Sequence, residues 1–210
     1  MAEQPGTLPA KLYLLAYDPE RSKLTGRHNL DLLLTAGALA ELLQRGLLRD
    51  LKGRAVATGA APADLAPVLA DLLAEIAERR PHSWKHWVTR RRGLGRIVQR
   101  ELAATGLLRL EPYRVLGLFT ATRVELRDPR PRKALLAAFS AALRGPLSQV
   151  EPQTAALVAL ADAARLGLLL NRRQRREHRE RIGQLAARCE PVPGALRAAI
   201  RARDSATAAS

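Results

Sequence analysis

Residues 152–170 read PQTAALVALADAARLGLLL. From Ala155 onward the only charges are Asp162 and Arg165, and most of the remainder is alanine and leucine, the strongest helix formers. Pro152 stands where a first helical turn tolerates proline. The stretch predicts a helix from Pro152 to Leu170 that is apolar nearly all round, which is the mark of a helix enclosed by other elements. It falls short of the roughly 20 apolar residues that a bilayer span requires, so it predicts a helical core and no membrane crossing. The expected fold class is mainly α, a central apolar helix bundle ringed by amphipathic helices, with one or two short β-hairpins.

Working outward, residues 29–45 place Leu30, Leu33, Leu34, Ala38 and Leu42 at helical spacing, with Asn29 as the N-cap candidate and Gly46 just past the end. Residues 63–78 form an amphipathic helix on Leu65, Val68, Leu69, Leu72, Leu73 and Ile76, closed by Pro81. The run Leu12 to Ala16, ended by Asp18-Pro19, reads as a strand or a helical turn, with helix preferred. A short helix follows over 83–90. Asp128-Pro129 and Pro131 open a helix to Arg144, and Gly145-Pro146 break it. Residues 172–188 predict one helix supported by Arg173/Glu177, Arg176/Glu180 and Glu177/Arg181 pairs, and 194–203 a last short one. DSATAAS, 204–210, predicts a disordered tail after a single domain spanning 1–203.

One unit occurs twice. Glu41, Leu42, Gly46, Leu47 and Leu48 are echoed sixty residues on by Glu101, Leu102, Gly106, Leu107 and Leu108. Each time a helix stops at glycine and a hairpin follows. The first hairpin turns at Lys52-Gly53. In the second, LLRLEPYRVLGLFTATRVEL (107–126), the turn is expected at Glu111–Arg114.

Thirty-five basic residues, thirty of them arginine, against 20 acidic ones leave a net charge of +15, which favours nucleic acid, anionic lipid or an acidic protein as partner. The single cysteine, Cys189, forms no internal disulfide, and the N-terminus carries no signal-peptide pattern, so a cytoplasmic protein is expected. No nucleophile elbow, phosphate-cradling glycine loop or dinucleotide fingerprint is present, and the expectation is a protein that is not an enzyme, with no catalytic residues and no cofactor. His82 and His86 have the spacing of a two-histidine metal site, but no third ligand accompanies them, so no metal is expected.

The segment TRRRGLGRIVQR (89–100) places Arg90, Arg91, Arg92 and Arg96 around two glycines ahead of a helix, where guanidinium forks and free N-terminal amides are expected to converge on one anion. The helix leads into the second hairpin, whose Tyr113, Val115, Leu116, Leu118 and Phe119 are the candidates for membrane insertion. Alternation turns some of these inward, which leaves the tip around Tyr113 as the wedge. The competing reading is DNA binding, since two helix–hairpin units resemble winged-helix parts.

Five blocks in order, LYLLAYDPERSKLTG (12–26), AELLQRGLL (40–48), residues 89–119, TRVELRDPRPRKALLAAF (122–139) and PQTAALVALADAARLG (152–167), resemble the Golgi phosphoprotein 3 family from about Leu8 to Arg201. The resemblance implies a helical fold with a protruding apolar hairpin. It also implies a peripheral membrane protein that binds phosphatidylinositol 4-phosphate through basic residues and a tryptophan, with cytoplasmic tails of membrane enzymes as further partners. Arg92 matches one head-group arginine of the family. The second falls at Gly95, the tryptophan near Gly26 and a further arginine near Thr35, so Arg96 and Arg27 are the candidates to stand in. The arginine- and alanine-rich composition resembles a prokaryotic member, expected in the cytoplasm with a membrane-bound fraction. Composition and family together leave the oligomeric state open.

Overall fold

The computed structural model describes residues 6–115 and 119–208, with backbone alone at 113–115 and 119–121. It is mainly α with short antiparallel strand pairs. The core is built on α2, Leu30–Gln44, twelve of whose 15 residues are buried. Beside it lie α1, Leu8–Ala16, and α7, Pro152–Ala163, in which Ala155 to Ala161 are all buried. Gly37 permits the close approach of α1 to α2, since a Cβ there would stand 2.7 Å from Leu12 Cδ1. The run at Leu12 is therefore helical, and it starts four residues earlier than its apolar core, behind the Thr7 N-cap.

Around this centre sit α3 (Pro67–Ala77), α4 (Trp84–Arg90), α5 (Leu94–Ala104), α6 (Arg130–Arg144), α9 (Arg179–Ala187) and α10 (Val192–Ala208). The outer helices bury one face, as with Val68, Leu69, Leu72, Leu73 and Ile76 of α3. This is the predicted bundle with its amphipathic ring. α3 begins at Pro67 rather than Ala63 because proline fits the first helical position.

Three further helix boundaries depart from the sequence reading. α7 ends at Ala163, seven residues before Leu170, because Arg165 takes a left-handed φ of 52° while Leu166 N donates to Ala161 O at 3.0 Å and Arg165 N to Asp162 O at 2.9 Å. That is a Schellman stop with arginine where glycine is usual. Residues 172–188 split at His178 into α8, Arg172–Glu177, and α9. Arg181 does not pair with Glu177; it donates to Ala142 O and Gly145 O, both at 2.7 Å, and satisfies the carbonyls at the end of α6. At the chain's end, 204–208 are helical as part of α10, where disorder was expected.

The repeated unit is present in full. Gly46 and Gly106 take φ of 70° and 75°, and Leu47 N and Leu107 N each reach back to the fifth preceding carbonyl at 2.9 Å. Each unit then closes alike, with Thr58 N donating to Leu47 O and Arg127 N to Leu107 O. Two lesser strands, β1 (Tyr17–Asp18) and β2 (Lys23–Leu24), pair just after α1. The first hairpin, β3 (Leu48–Leu51) and β4 (Arg54–Ala57), turns at Lys52-Gly53, both left-handed, and β5 (His82–Ser83) adds a third strand.

The second hairpin overturns the expected turn. β6, Leu108–Val115, runs straight through Glu111–Arg114 and pairs with β7, Phe119–Leu126, in a register with Pro112 opposite Thr122 and Val115 opposite Phe119. Proline is tolerated because the Arg127–Leu107 bond puts the hydrogen-bonded pairs at odd-numbered β6 residues, so the nitrogen of Pro112 faces outward, where no ladder bond is lost. Tyr113 therefore lies within a strand, opposite Ala121, and is not the tip. The innermost pair is Val115 and Phe119; the insertion candidates Leu116 and Leu118 lie outside the described residues. At the base Leu108 is buried and Tyr17 Oη donates to Val124 O at 2.9 Å, while Pro112, Thr122 and Arg123 are exposed, so the ribbon leaves the core beyond Leu110.

Candidate anion-binding site

α4 ends at Arg90 and α5 begins at Leu94, and the link between them, Arg91 to Gly93, is fixed from two sides. On one side Glu75 of α3 collects arginines: Arg90 Nε lies 2.7 Å and Arg91 Nε 3.3 Å from its carboxylate, with Arg79 at 3.5 Å. Burial pushes the Glu75 carboxyl up, but the hydrogen bonds and charges of Arg90 and Arg91 outweigh it and hold the group below the usual carboxylate range. Two of the five arginines expected at the site are thus committed to an internal partner.

On the other side stands Asp31, in the first turn of α2. Its Oδ2 accepts from Gly93 N at 2.7 Å and its Oδ1 from Gly95 N at 2.8 Å. The amides expected to be free for a bound anion are therefore already taken by a carboxylate of the same chain. The physical reason is the attraction of a helix N-terminus for negative charge, met here by a neighbouring helix.

α2 supplies a second cap of this kind. Glu41, 4% exposed, accepts the N–H of Leu8 at 2.6 Å and so closes the start of α1. Burial pushes its carboxyl above the ordinary range, against the lowering effects of the Leu8 hydrogen bond, Arg45 and Lys11. Asp31, Glu41 and Glu75 all escaped the sequence reading. The groups each one serves lie on other segments of the chain, so no local spacing announces them.

Arg92 and Arg96 flank the start of α5, exposed and in no ion pair among the described residues. Arg27, likewise exposed and unpaired, sits in the 3-10 turn Arg27–Asn29 that leads into α2, four residues before Asp31. The turn is braced by Arg203 of α10, which donates to His28 O and lies 3.4 Å from Asn29 Oδ1. Asn29 makes no side-chain capping bond to α2. Asp31 thus ties together the two segments that carry Arg27, Arg92 and Arg96.

The three positions at which the resemblance puts further head-group residues are closed in this fold. Gly26 has a φ of 63° and a Cβ would stand 3.3 Å from Leu166 Cδ2. Thr35 is fully buried, its hydroxyl donating to Asp31 O at 2.7 Å. A Cβ on Gly95 would stand 3.2 Å from both Asp31 Oδ1 and Leu30 Cδ2.

His82 and His86 stack with ring centroids 4.1 Å apart. Among the described residues no group of three or more histidine, cysteine or acidic side chains is arranged to hold a metal. Among the same residues no helix is long and apolar enough to cross a membrane. Residues 8–203 match the family profile described as Golgi phosphoprotein 3 (GPP34). No curated protein sequence matches the chain.

Proposed function

The chain belongs to the Golgi phosphoprotein 3 family, and from that premise we propose that it is a peripheral membrane protein that docks on anionic lipid head groups, phosphatidylinositol 4-phosphate or a related phospholipid. It acts by binding and not by catalysis. Arg92, Arg96 and Arg27 engage head-group phosphates, and the far end of the β6–β7 ribbon enters the acyl boundary. One arrangement carries the reading: three exposed, unpaired arginines stand on two segments that Asp31 fastens together, and α5, which starts among them, leads directly into the ribbon.

The magnitudes suit reversible docking. Three arginines near an anionic surface contribute about 1 kcal/mol each. Each large apolar side chain removed from water adds roughly 1.5 to 3 kcal/mol, before ordering costs are subtracted. With the helix amides taken by Asp31, recognition rests on side-chain guanidinium groups, whose planar forks suit phosphate oxygens. The reading extends to an adaptor that holds cytoplasmic tails of membrane proteins at the lipid surface.

Co-sedimentation with vesicles tests it, comparing neutral lipid, generic acidic lipid and phosphatidylinositol 4-phosphate with duplex DNA at matched salt. Binding to acidic vesicles that is lost in Arg92→Ala/Arg96→Ala at unchanged helicity is the expected result. Failure on every acidic vesicle overturns it, and retention by DNA alone would favour the nucleic-acid reading.

A further inference from the structure

Between the end of α7, α8 and the middle of α10 lies a cavity of about 210 Å³. Its walls carry Arg165, Arg175, Arg197 and Arg201 against two carboxylates, Asp162 and Asp204. None of these residues belongs to the Arg27, Arg92 and Arg96 face. Positive charge exceeds negative by two, and the internal pairing is loose: Asp162 stands 3.8 Å from Arg175 and 3.7 Å from Arg197, where Arg90 and Glu75 close to 2.7 Å.

Arg175 is incompletely satisfied. Its Nε donates to Leu170 O at 3.0 Å and its Nη1 to Asp162 O at 3.3 Å, while Nη2 is buried with no hydrogen-bond partner among the described residues. A buried guanidinium with an unpaired donor is costly, and a negative charge nearby offsets part of that cost. Burial lowers the affinity of Arg175 for its proton; Asp162 opposes this, and the nearby Arg165 adds repulsion. A bound anion opposes the effect of burial and offsets the repulsion from Arg165.

The backbone of Arg165 supplies an independent sign. It occupies the left-handed position that ends α7, with φ of 52°, and the equivalent positions after α2 and α5 are Gly46 and Gly106. A side chain is kept where the backbone favours none, and that residue lines the cavity.

We propose that this cavity is a second anion site that takes a phosphate group, with Arg175 supplying half-buried positive charge and the exposed Arg165 and Arg201 engaging the phosphate from the rim. Asp204 also lines the neighbouring cavity that contains His28 and Arg203, so the site adjoins the turn that carries Arg27. The inference does not rest on the lipid reading.

The test uses the full chain carrying Arg92→Gln/Arg96→Gln, so that the other arginine face is silenced. Inorganic phosphate is titrated against chloride at constant ionic strength, and the midpoint of thermal unfolding is read. Phosphate is expected to raise the midpoint, and Arg165→Gly and Arg201→Gln each to abolish the shift. Arg165→Gly suits the backbone at its position, and Arg201→Gln alters an exposed residue, so both keep the fold. No phosphate-specific shift, or a shift that survives both substitutions, overturns the proposal. Phosphatidylcholine vesicles with and without phosphatidic acid then separate the sources. Vesicle binding reduced by both substitutions in the otherwise unaltered chain assigns a lipid phosphate, and binding left intact assigns a soluble one.

Discussion

Asp31 Oδ1 accepts the N–H of Gly95 at 2.8 Å, and a Cβ on Gly95 would stand 3.2 Å from that same oxygen. The contact that fixes α5 on α2 thus also crowds any side chain at the position where the family resemblance calls for a head-group arginine. Gly95→Arg is expected to destabilise the fold by about 1 kcal/mol through overpacking. Asp31→Ala, which orphans the amides of Gly93 and Gly95, is expected to cost about 2 to 3 kcal/mol. Urea unfolding measures both, and a neutral Asp31→Ala would show that this cap is not needed.

Glu75 restrains Arg90 and Arg91. Glu75→Gln leaves an amide of similar shape but releases two guanidinium groups beside Arg92, and affinity for acidic vesicles is expected to rise on the order of tenfold at low salt. The gain should shrink as salt is added. Vesicle titration at two ionic strengths checks it, and a fall in affinity would mean that the Glu75 brace positions the exposed arginines.

Glu41 is a carboxyl whose folded pKa is raised by burial. Between its ordinary range and that raised value the unfolded chain loses the proton first, so stability falls as pH rises through this window and is level below it. Glu41→Gln is expected to remove this part of the pH dependence and to be near neutral in stability above the window, since an amide oxygen still accepts from Leu8 N. Glu41→Ala leaves that donor bare and is expected to cost about 1 to 3 kcal/mol. Denaturant midpoints measured across pH for the three proteins distinguish these outcomes.

Arg165→Gly places the favoured residue at the left-handed end of α7 and is expected to stabilise the protein without ligand by about 0.5 to 1 kcal/mol. For a chain of this size that is roughly 1 to 4 °C in Tm. Calorimetry reads it, and a lowered Tm would mean that the side chain of Arg165 contributes more to the fold than its backbone costs.

The fold was legible where a single chemical pattern decided the matter. Alanine and leucine periodicity located α2 and α7, prolines marked the starts of α6 and α7, and Gly46 and Gly106 marked the paired helix stops. It was not legible where a side chain far away in sequence, or one residue's backbone, decided. Arg165 ends α7 in mid-run. Pro112 reads as a turn residue until the strand register turns its nitrogen outward. At the candidate site the arginines were visible as a cluster, but the acids that sort them were not: Glu75 claims two, and Asp31 claims the amides, leaving Arg92, Arg96 and Arg27 outside any ion pair among the described residues.

Pro112 has a further effect on how the molecule behaves towards its own copies. A ribbon of two strands has an outer edge on each side, and an unsatisfied edge is a template on which another chain can add as a third strand. The outward-facing nitrogen of Pro112 offers no donor along the stretch where β6 has left the core, so one edge of the ribbon is interrupted against self-templated growth. A ribbon that stands out from its core and stays dispersed in water needs such a block, and on this edge one residue supplies it.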